Sequence, residues 1–238
     1  MHAIPSSSRI AVVLCTLGIL TLGGCPASTF TPAELPVEIK TVIASRDSVQ
    51  IAEDDPALSA MPGRVVDALS GLDGCWASYT SYGLPADLPG GMAEAAREDV
   101  YTYYRFDAAT GQMTYMAYGE LKGFPFATLA TYTGTFTITD DSHLEFKVDE
   151  FTAFDATTGQ TYVYPESFAE QAQQSAAHGD ITQAELADLL AGLADPLVWE
   201  YRVTLDGDRL TLVDVWQNDD GTEGSGETDV CFRFACPD

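Results

Sequence analysis

Apolar and polar residues alternate with a period of two over much of the second half of the chain. In residues 131–138, threonines occupy every second position, and Tyr132, Phe136 and other non-polar residues occupy the positions between them. The ranges 144–148 and 199–205 show the same alternation. Such a pattern is typical of a β-strand with one buried face. It therefore predicts strands, and the short Asp- and Gly-rich turns between them predict antiparallel pairing.

Further strands are predicted on both sides of this region. Eight or nine strands follow one another along the chain, and most are joined by short hairpin turns. Closing such a series into an up-and-down antiparallel β-barrel removes the exposed edges that an open sheet would leave. We therefore predict a mainly β fold with a barrel of about eight or nine strands, and a β-sandwich is the alternative. The other predicted strands are 74–82, 100–106, 112–118, 209–217 and 227–236.

Residues 165–195 interrupt the β pattern. Two helices are predicted here, over 166–177 and 183–193, and Thr182 and Glu185 have the spacing of a capping box at the start of the second. Four leucines of the second helix fall on one face. This stripe predicts a helical insertion that packs against the sheet or covers one mouth of the barrel.

The N-terminus carries a short apolar segment. Residues 10–22 are apolar apart from threonine and glycine, and Arg9 supplies a positive charge before them. This run is too short for a permanent membrane anchor and has the proportions of a signal peptide, which we predict over residues 1–24. An ordinary secreted protein cleaved near Gly24 would carry a similar segment.

The four residues Leu22-Gly23-Gly24-Cys25 directly follow this apolar run. They resemble the lipobox of bacterial lipoproteins, in which small residues precede a cysteine that becomes the lipidated mature N-terminus. The resemblance implies a thioether-linked diacylglycerol on Cys25 and a third acyl chain, such as palmitate, on its amine. Several buried acyl chains are sufficient for stable attachment to the lipid bilayer. Pro26 in place of aspartate implies the outer membrane, so the expected location is the cell envelope, facing the periplasm or the surface.

Composition divides the rest of the chain into two parts. Residues 25–65 hold several prolines among small polar residues, which predicts a lipidated tether. Residues 66–238 hold the strands and form the predicted barrel domain. A hydrophobic content of 46% over the whole chain is sufficient for a packed core.

The chain is strongly acidic, with a formal net charge of −25 at pH 7. This charge makes nucleic acid and anionic lipid headgroups poor partners. The acidic clusters lack the ligand spacing of an EF-hand loop, and no paired-histidine metal motif is present. His143 and His178 are the only histidines after the predicted signal peptide, and the chain lacks hydrolase and nucleotide-binding motifs. We therefore predict no enzymatic activity, catalytic residue, metal or cofactor.

Three cysteines remain once the signal peptide and Cys25 are set aside. Cys75 lies in the first strand, and Cys231 and Cys236 lie in the last. In an oxidising compartment we expect one disulfide, which joins Cys75 to one of the other two. Because Cys231 and Cys236 are an odd number of residues apart, they face opposite sides of an extended strand, and both pairings stay open.

A short motif, Gly74-Cys75-Trp76, opens the first strand, a long loop follows at 83–96, and Arg233 lies in the last strand. Over residues 70–236 the chain thereby resembles the lipocalin-like, or calycin, β-barrels, whose first strand carries G-x-W. The resemblance implies that Gly74 and Trp76 form the floor of the barrel, with Arg233 packed across the indole ring.

The same resemblance implies that the barrel binds a small apolar or amphipathic ligand. Because an eight-stranded barrel either holds one small molecule or is packed solid, the alternative is a structural or protein-interaction lipoprotein with a filled barrel. The aromatic residues expected to line the interior are Tyr79, Tyr103, Phe106, Tyr132, Phe136 and Trp216.

Overall fold

The computed structural model describes residues 35–51, 71–83, 97–122, 126–139, 142–155, 159–218 and 221–237. The predicted signal peptide, Cys25 and most of the long first loop lie outside these residues. The strands of the described part are β1 (Gly74–Gly83), β2 (Arg97–Asp107), β3 (Gln112–Leu121), β4 (Phe126–Ile138), β5 (His143–Asp155), β6 (Gln160–Val163), β7 (Leu197–Asp206), β8 (Arg209–Gln217) and β9 (Glu223–Phe234). Its helices are α1 (Val37–Ala44), α2 (Arg46–Val49), α3 (Glu166–His178) and α4 (Gln183–Ala194).

Eight of these strands close into a ring. The strands β1 to β5 pair in sequence, β7 pairs with β5, and β8 and β9 continue the series back to β1. Every pairing is antiparallel. The ninth strand, β6, pairs with residues 152–155 of β5, beyond the part that β7 occupies. The predicted up-and-down barrel is therefore confirmed, and the β-sandwich alternative is wrong.

The barrel has two distinct ends. At the first, which we call the floor, β1 begins and β9 ends, and Trp76 pairs in register with Tyr104 of β2 and with Arg233 of β9. At the other, which we call the far end, β1 ends and β9 begins. Because β6 pairs with the last residues of β5, the helical insertion leaves the barrel near the far end.

The predicted helical insertion is confirmed as α3 and α4. The Thr182 hydroxyl accepts a hydrogen bond from the Glu185 backbone N–H, and the Glu185 carboxylate accepts one from the Thr182 backbone, so the capping box is present. α3 reaches the barrel core through Phe168, whose ring lies 5.5 Å from that of Phe151. α4 packs on α3, and Leu189 in its leucine stripe is 49% exposed. The other three leucines of the stripe are half-buried, so the stripe does not pack on the sheet as a fully buried face, which was one of its two predicted positions.

Alternation along the strands separates an inner from an outer set of side chains. The inner set forms the main hydrophobic core, and aromatic residues dominate it because eight strands enclose more volume than aliphatic side chains of this number would fill. The inner aromatic residues are Trp76, Tyr104, Phe106, Tyr115, Tyr132, Phe136, Phe146, Phe151, Trp199 and Tyr201.

A second apolar cluster lies on the outer wall, beneath α1. Ile39 and Val42, three residues apart and so on one face of α1, are fully buried in it. After α2, the Ile51 backbone N–H donates to the Tyr79 carbonyl of β1 at 2.9 Å. Residues 35–51 fall within the predicted tether, and the structure packs this part of it onto the barrel.

Candidate functional site

The floor of the barrel is built around the Trp76 indole. Trp76 is fully buried, and its Nε1 donates to the Leu72 carbonyl at 2.8 Å. The guanidinium carbon of Arg233 lies 4.2 Å from the centroid of the indole ring. The same guanidinium donates to the carbonyl of Asp73 at 2.8 Å and to that of Gly71 at 2.6 Å. Arg233 therefore ties the segment before β1 to the last strand and closes this end.

Glycine is required at position 74 for two reasons. Gly74 has a φ of +113°, which side-chain-bearing residues rarely adopt, and a Cβ there would lie 3.2 Å from Nη1 of Arg233. The predicted floor residues Gly74, Trp76 and Arg233 are thus brought together at one end of the barrel.

The disulfide joins Cys75 to Cys236. Cys75 follows Gly74 and precedes the inward Trp76, so its side chain faces the outer wall, where the Tyr103 hydroxyl lies 3.3 Å from its sulfur. Cys231 is a free, buried thiol of the inner core. Burial raises the pKa of the Cys231 thiol, the charge of Asp229 raises it further, and a hydrogen bond with Ser78 lowers it.

The six predicted lining residues do not share one surface. Phe106, Tyr132 and Phe136 lie in the inner core, as the prediction requires. Tyr79 and Tyr103 are corrections, because they lie in the outer cluster beneath α1. The physical reason is the period of two: Tyr79 is three residues from the inward Trp76, and Tyr103 adjoins the inward Tyr104.

Trp216 stands apart from the other candidates, near the far end. It lies two residues beyond Asp214 and four beyond Leu212, so it continues the inner face of β8, and 36% of it is exposed. Gly224 and Gly226 of β9 make room for its ring, since a Cβ at either glycine would collide with it. Trp216 therefore lies at the mouth of the barrel.

Stacked aromatic rings fill much of the interior. Tyr104 stacks on Tyr115 with 4.6 Å between ring centroids, and Tyr132 stacks on Phe151 at 4.2 Å. Trp199 packs against Tyr132 at 4.6 Å. The interior that these rings occupy is a packed core rather than a cavity.

Smaller and more polar side chains line the inner face closer to the far end. On β1 the inward position after Trp76 is Ser78 and the next is Thr80, while on β3 the inward position after Tyr115 is Ala117 and the next is Gly119. Thr80, Ala117 and Gly119 each keep some exposed surface although they face inwards. We call this region the far-end chamber. β1 and β3 thus carry small side chains at this end, whereas β7 carries the larger Leu197 and Trp199.

The carboxyl groups of Asp214 and Asp229 face into this chamber, and that of Glu98 lies beside Gly119, with Oε1 3.2 Å from the place of a Cβ there. Tyr104 donates a short hydrogen bond to one carboxylate oxygen of Asp229. Burial raises the pKa of Asp229, and the bond from Tyr104 lowers it, with a net rise. Burial and then the Asp229 charge raise the pKa of Asp214 to about 6. Ionisation of both Asp214 and Asp229 at neutral pH is therefore electrostatically unfavourable.

Tyr201 completes this group. Tyr201 lies directly opposite Asp214 in the pairing of β7 with β8. Asp229 of β9 lies opposite Leu212 of β8. Burial, then the charges of Tyr115, Asp229 and Asp214, raise the pKa of the Tyr201 hydroxyl. Tyr201 is 4% exposed, and no described residue hydrogen-bonds to its hydroxyl.

The inward position of Asp214 and Asp229 could have been predicted from the sequence, although the sequence analysis did not identify it. Once Arg233 is placed inside, the period of two places Cys231 and Asp229 inside as well. In the same way, the inward Leu210 and Leu212 place Asp214 on the inner face of β8. The large excess of acidic residues hid the two that face inwards.

The two histidines predicted to be solvated lie outside the inner face. His143 Nε2 is 3.0 Å from a carboxylate oxygen of Glu223, which also pairs with Arg202 at 2.8 Å. His178, at the end of α3, lies with Nδ1 2.9 Å from the carbonyl of Gln174. Neither imidazole is near the carboxylates of the chamber.

No family model matches the chain, and no curated protein matches it. Over the described residues, no helix combines the length and the apolar character needed to cross a membrane. In the same part of the chain, no group of three or more histidine, cysteine, aspartate or glutamate side chains is arranged to hold a metal ion. The interpretation of the chamber therefore rests on its own geometry.

Proposed function

We propose that this protein is a lipid-anchored envelope lipoprotein whose barrel binds one small amphipathic molecule in the far-end chamber. The observation that carries the proposal is the uneven filling of the barrel interior. Aromatic rings occupy one part, and small or polar side chains with residual exposure line the other. A ligand pocket in a barrel combines an apolar wall with a few polar groups that orient the ligand.

The aromatic core supplies the apolar wall. Trp199 and Tyr201 lie on the inner face of β7, and Trp216 lies at the mouth of the barrel. The closed floor at Trp76 and Arg233 leaves the far end as the route of entry. A ligand that enters there would meet Trp216 first and the carboxylates of the chamber next.

The anchor proposal rests on the lipobox-like residues Leu22-Gly23-Gly24-Cys25. Leu35, the first buried residue of the outer cluster, lies ten positions after Cys25. Ten residues span at most about 35 Å when fully extended. In this proposal the lipid therefore holds the barrel close to the membrane surface, and the binding mouth receives molecules that are present in or near the envelope.

Mass spectrometry of the protein extracted from its native membranes tests both parts of the proposal. We expect an intact mass that corresponds to cleavage before Cys25 and the addition of a lipid, together with a small molecule that is released on denaturation. The variant Cys25→Ser should lose the added mass and move to the soluble fraction. An unlipidated native protein would overturn the anchor, and consistently ligand-free protein that takes up no amphiphile in vitro would overturn the binding function.

A second candidate is a structural or protein-interaction lipoprotein with a filled barrel. The observation that favours it is the close stacking of Tyr132 on Phe151 and on Trp199, which leaves no space between these rings. This candidate predicts that short amphiphiles produce no saturable heat or fluorescence change. The titrations described below separate it from the first.

A further inference from the structure

Asp214 and Asp229 have no cationic partner among the described residues. In the same part of the chain, Arg233 is the one basic side chain that faces into the barrel, and it is engaged with Trp76 and two carbonyls at the floor. Asp229 is four residues from Arg233 along β9, or about 13 Å of extended strand. That separation is too great for a direct ion pair. The described residues thus do not neutralise the charge of Asp214 and Asp229.

An independent observation comes from Tyr201. The Tyr201 side chain is 4% exposed and lies on the inner face, opposite Asp214, and its hydroxyl makes no hydrogen bond with a described residue. The hydroxyl is therefore available to a molecule that enters the chamber.

We propose that the ligand of the barrel is a small alkylamine or arylalkylamine, whose ammonium group is held by Asp229, Asp214 and Tyr201. This inference rests on the proposed binding function and specifies its ligand class. A primary ammonium has three N–H donors and no acceptor. The two carboxylates and the phenol oxygen supply three acceptors, while the Tyr104 hydroxyl holds the Asp229 carboxylate in position.

The surroundings suit the remainder of such a molecule. An apolar tail would lie against Trp199 and Trp216, which continue the inner faces of β7 and β8 towards the far end. Indole faces also attract a nearby ammonium group. Carboxylate ligands are disfavoured, because they would add a further negative charge beside Asp214 and Asp229.

Calorimetric titration with n-octylamine, n-octanol and octanoate tests the inference. The mature chain, which begins at residue 25 and carries Cys25→Ser, lacks the proposed lipid and the apolar segment 10–22 and allows measurement without detergent. At physiological salt, which screens the acidic surface, we expect octylamine to bind at least ~10-fold more tightly than octanol, the equivalent of about one charge-assisted hydrogen bond. Octanoate should bind most weakly.

Three variants identify the source of any preference for the amine. The double variant Asp214→Asn/Asp229→Asn should bring the affinities for amine and alcohol to within about twofold of each other, because both charges are lost while the shape is kept. Tyr201→Phe removes one oxygen and should weaken amine binding by a smaller factor. Asp149→Asn, on the exposed wall of β5, is the matched control and should keep the full preference. Far-UV circular dichroism confirms that each variant is folded.

The possible results are distinct. Equal binding of amine and alcohol by the parent chain, or a preference that survives in Asp214→Asn/Asp229→Asn, would overturn the amine inference and leave the binding function intact. Binding of none of the three probes would overturn the binding function itself. If Asp149→Asn lost the preference as the double variant does, the preference would come from the overall charge, and the inference would be overturned.

Discussion

Replacing Arg233 with alanine removes four interactions at the floor of the barrel. The cation–π contact with Trp76 at 4.2 Å contributes about 0.5–2 kcal/mol in proteins. The hydrogen bonds to the carbonyls of Gly71 and Asp73 each contribute about 1–2 kcal/mol when the donor is charged and partly exposed. The 3.5 Å contact with the exposed Asp208 carboxylate adds little. Because these interactions share one side chain, we expect a loss of about 2–4 kcal/mol in the free energy of unfolding.

Urea denaturation followed by far-UV circular dichroism measures this loss with the disulfide intact. Far-UV detection is preferred to tryptophan fluorescence, because removing the guanidinium changes the emission of Trp76 directly. Arg233→Lys should show an intermediate loss, since a single ammonium keeps the charge but cannot bridge both carbonyls in the manner of a guanidinium. Arg105→Ala, on the exposed wall of β2, is the control and should change stability by less than about 0.5 kcal/mol.

The refuting result is a loss for Arg233→Ala no greater than that for Arg105→Ala. It would mean that the floor is held by the Trp76 ring and its neighbours alone, and that the arginine is incidental to closure.

Four further substitutions, one of them a control, test other parts of the fold. Cys236→Ser opens a loop of 161 residues and should lower the free energy of unfolding by up to about 5 kcal/mol, as measured by urea denaturation. Gly134→Ala places a methyl group against the backbone carbonyl of Lys147 and should lower the free energy of unfolding by about 3 kcal/mol or more. Gly192→Ala, in an open helical position, should raise it by up to about 1 kcal/mol. Equal effects of the two substitutions would contradict the close pairing of β4 with β5. Asp214→Asn should melt at a higher temperature than the parent protein above pH 7 and at nearly the same temperature near pH 4. The reason is that a carboxyl group with a raised pKa destabilises the fold once it ionises. A difference in melting temperature that stays constant across this pH range would contradict the burial of Asp214.

The period of two predicted the architecture because it depends on only one fact, that each strand has a buried face. Tyr132, Phe136 and Ile138 identified β4 correctly, and hairpin turns implied antiparallel neighbours, so closure followed. The capping box at Thr182 was similarly local and was confirmed. Features that depend on one strand and its turns were therefore predictable.

The same alternation also decides which side chains face into the barrel and which face outwards, once one inward residue of each strand is known. With Trp76 inside, Cys75 must face outwards, and with Arg233 inside, Cys231 must face inwards. These two facts exclude the pairing of Cys75 with Cys231, although the sequence alone had left it open. The same reasoning would have moved Tyr79 to the outer wall.

The outer cluster beneath α1 could not be predicted with equal ease. Ile39 and Val42 have helical spacing, but the prolines around them and the short length of the segment favoured a tether. Isolated helices of this length are marginal in water, and α1 forms because β1 and β2 present an apolar surface to it. That surface is a product of the tertiary fold.

In our proposal, the far end of the barrel is an acidic chamber that receives the ammonium group of an amphiphile. A crystal structure of the protein grown with n-octylamine would show the occupant of this chamber. We predict density for the amine nitrogen within hydrogen-bond distance of Asp229, Asp214 and Tyr201, with the alkyl chain directed towards Trp216. A chamber closed by protein side chains, with octylamine absent or bound on the outer wall, would contradict the claim.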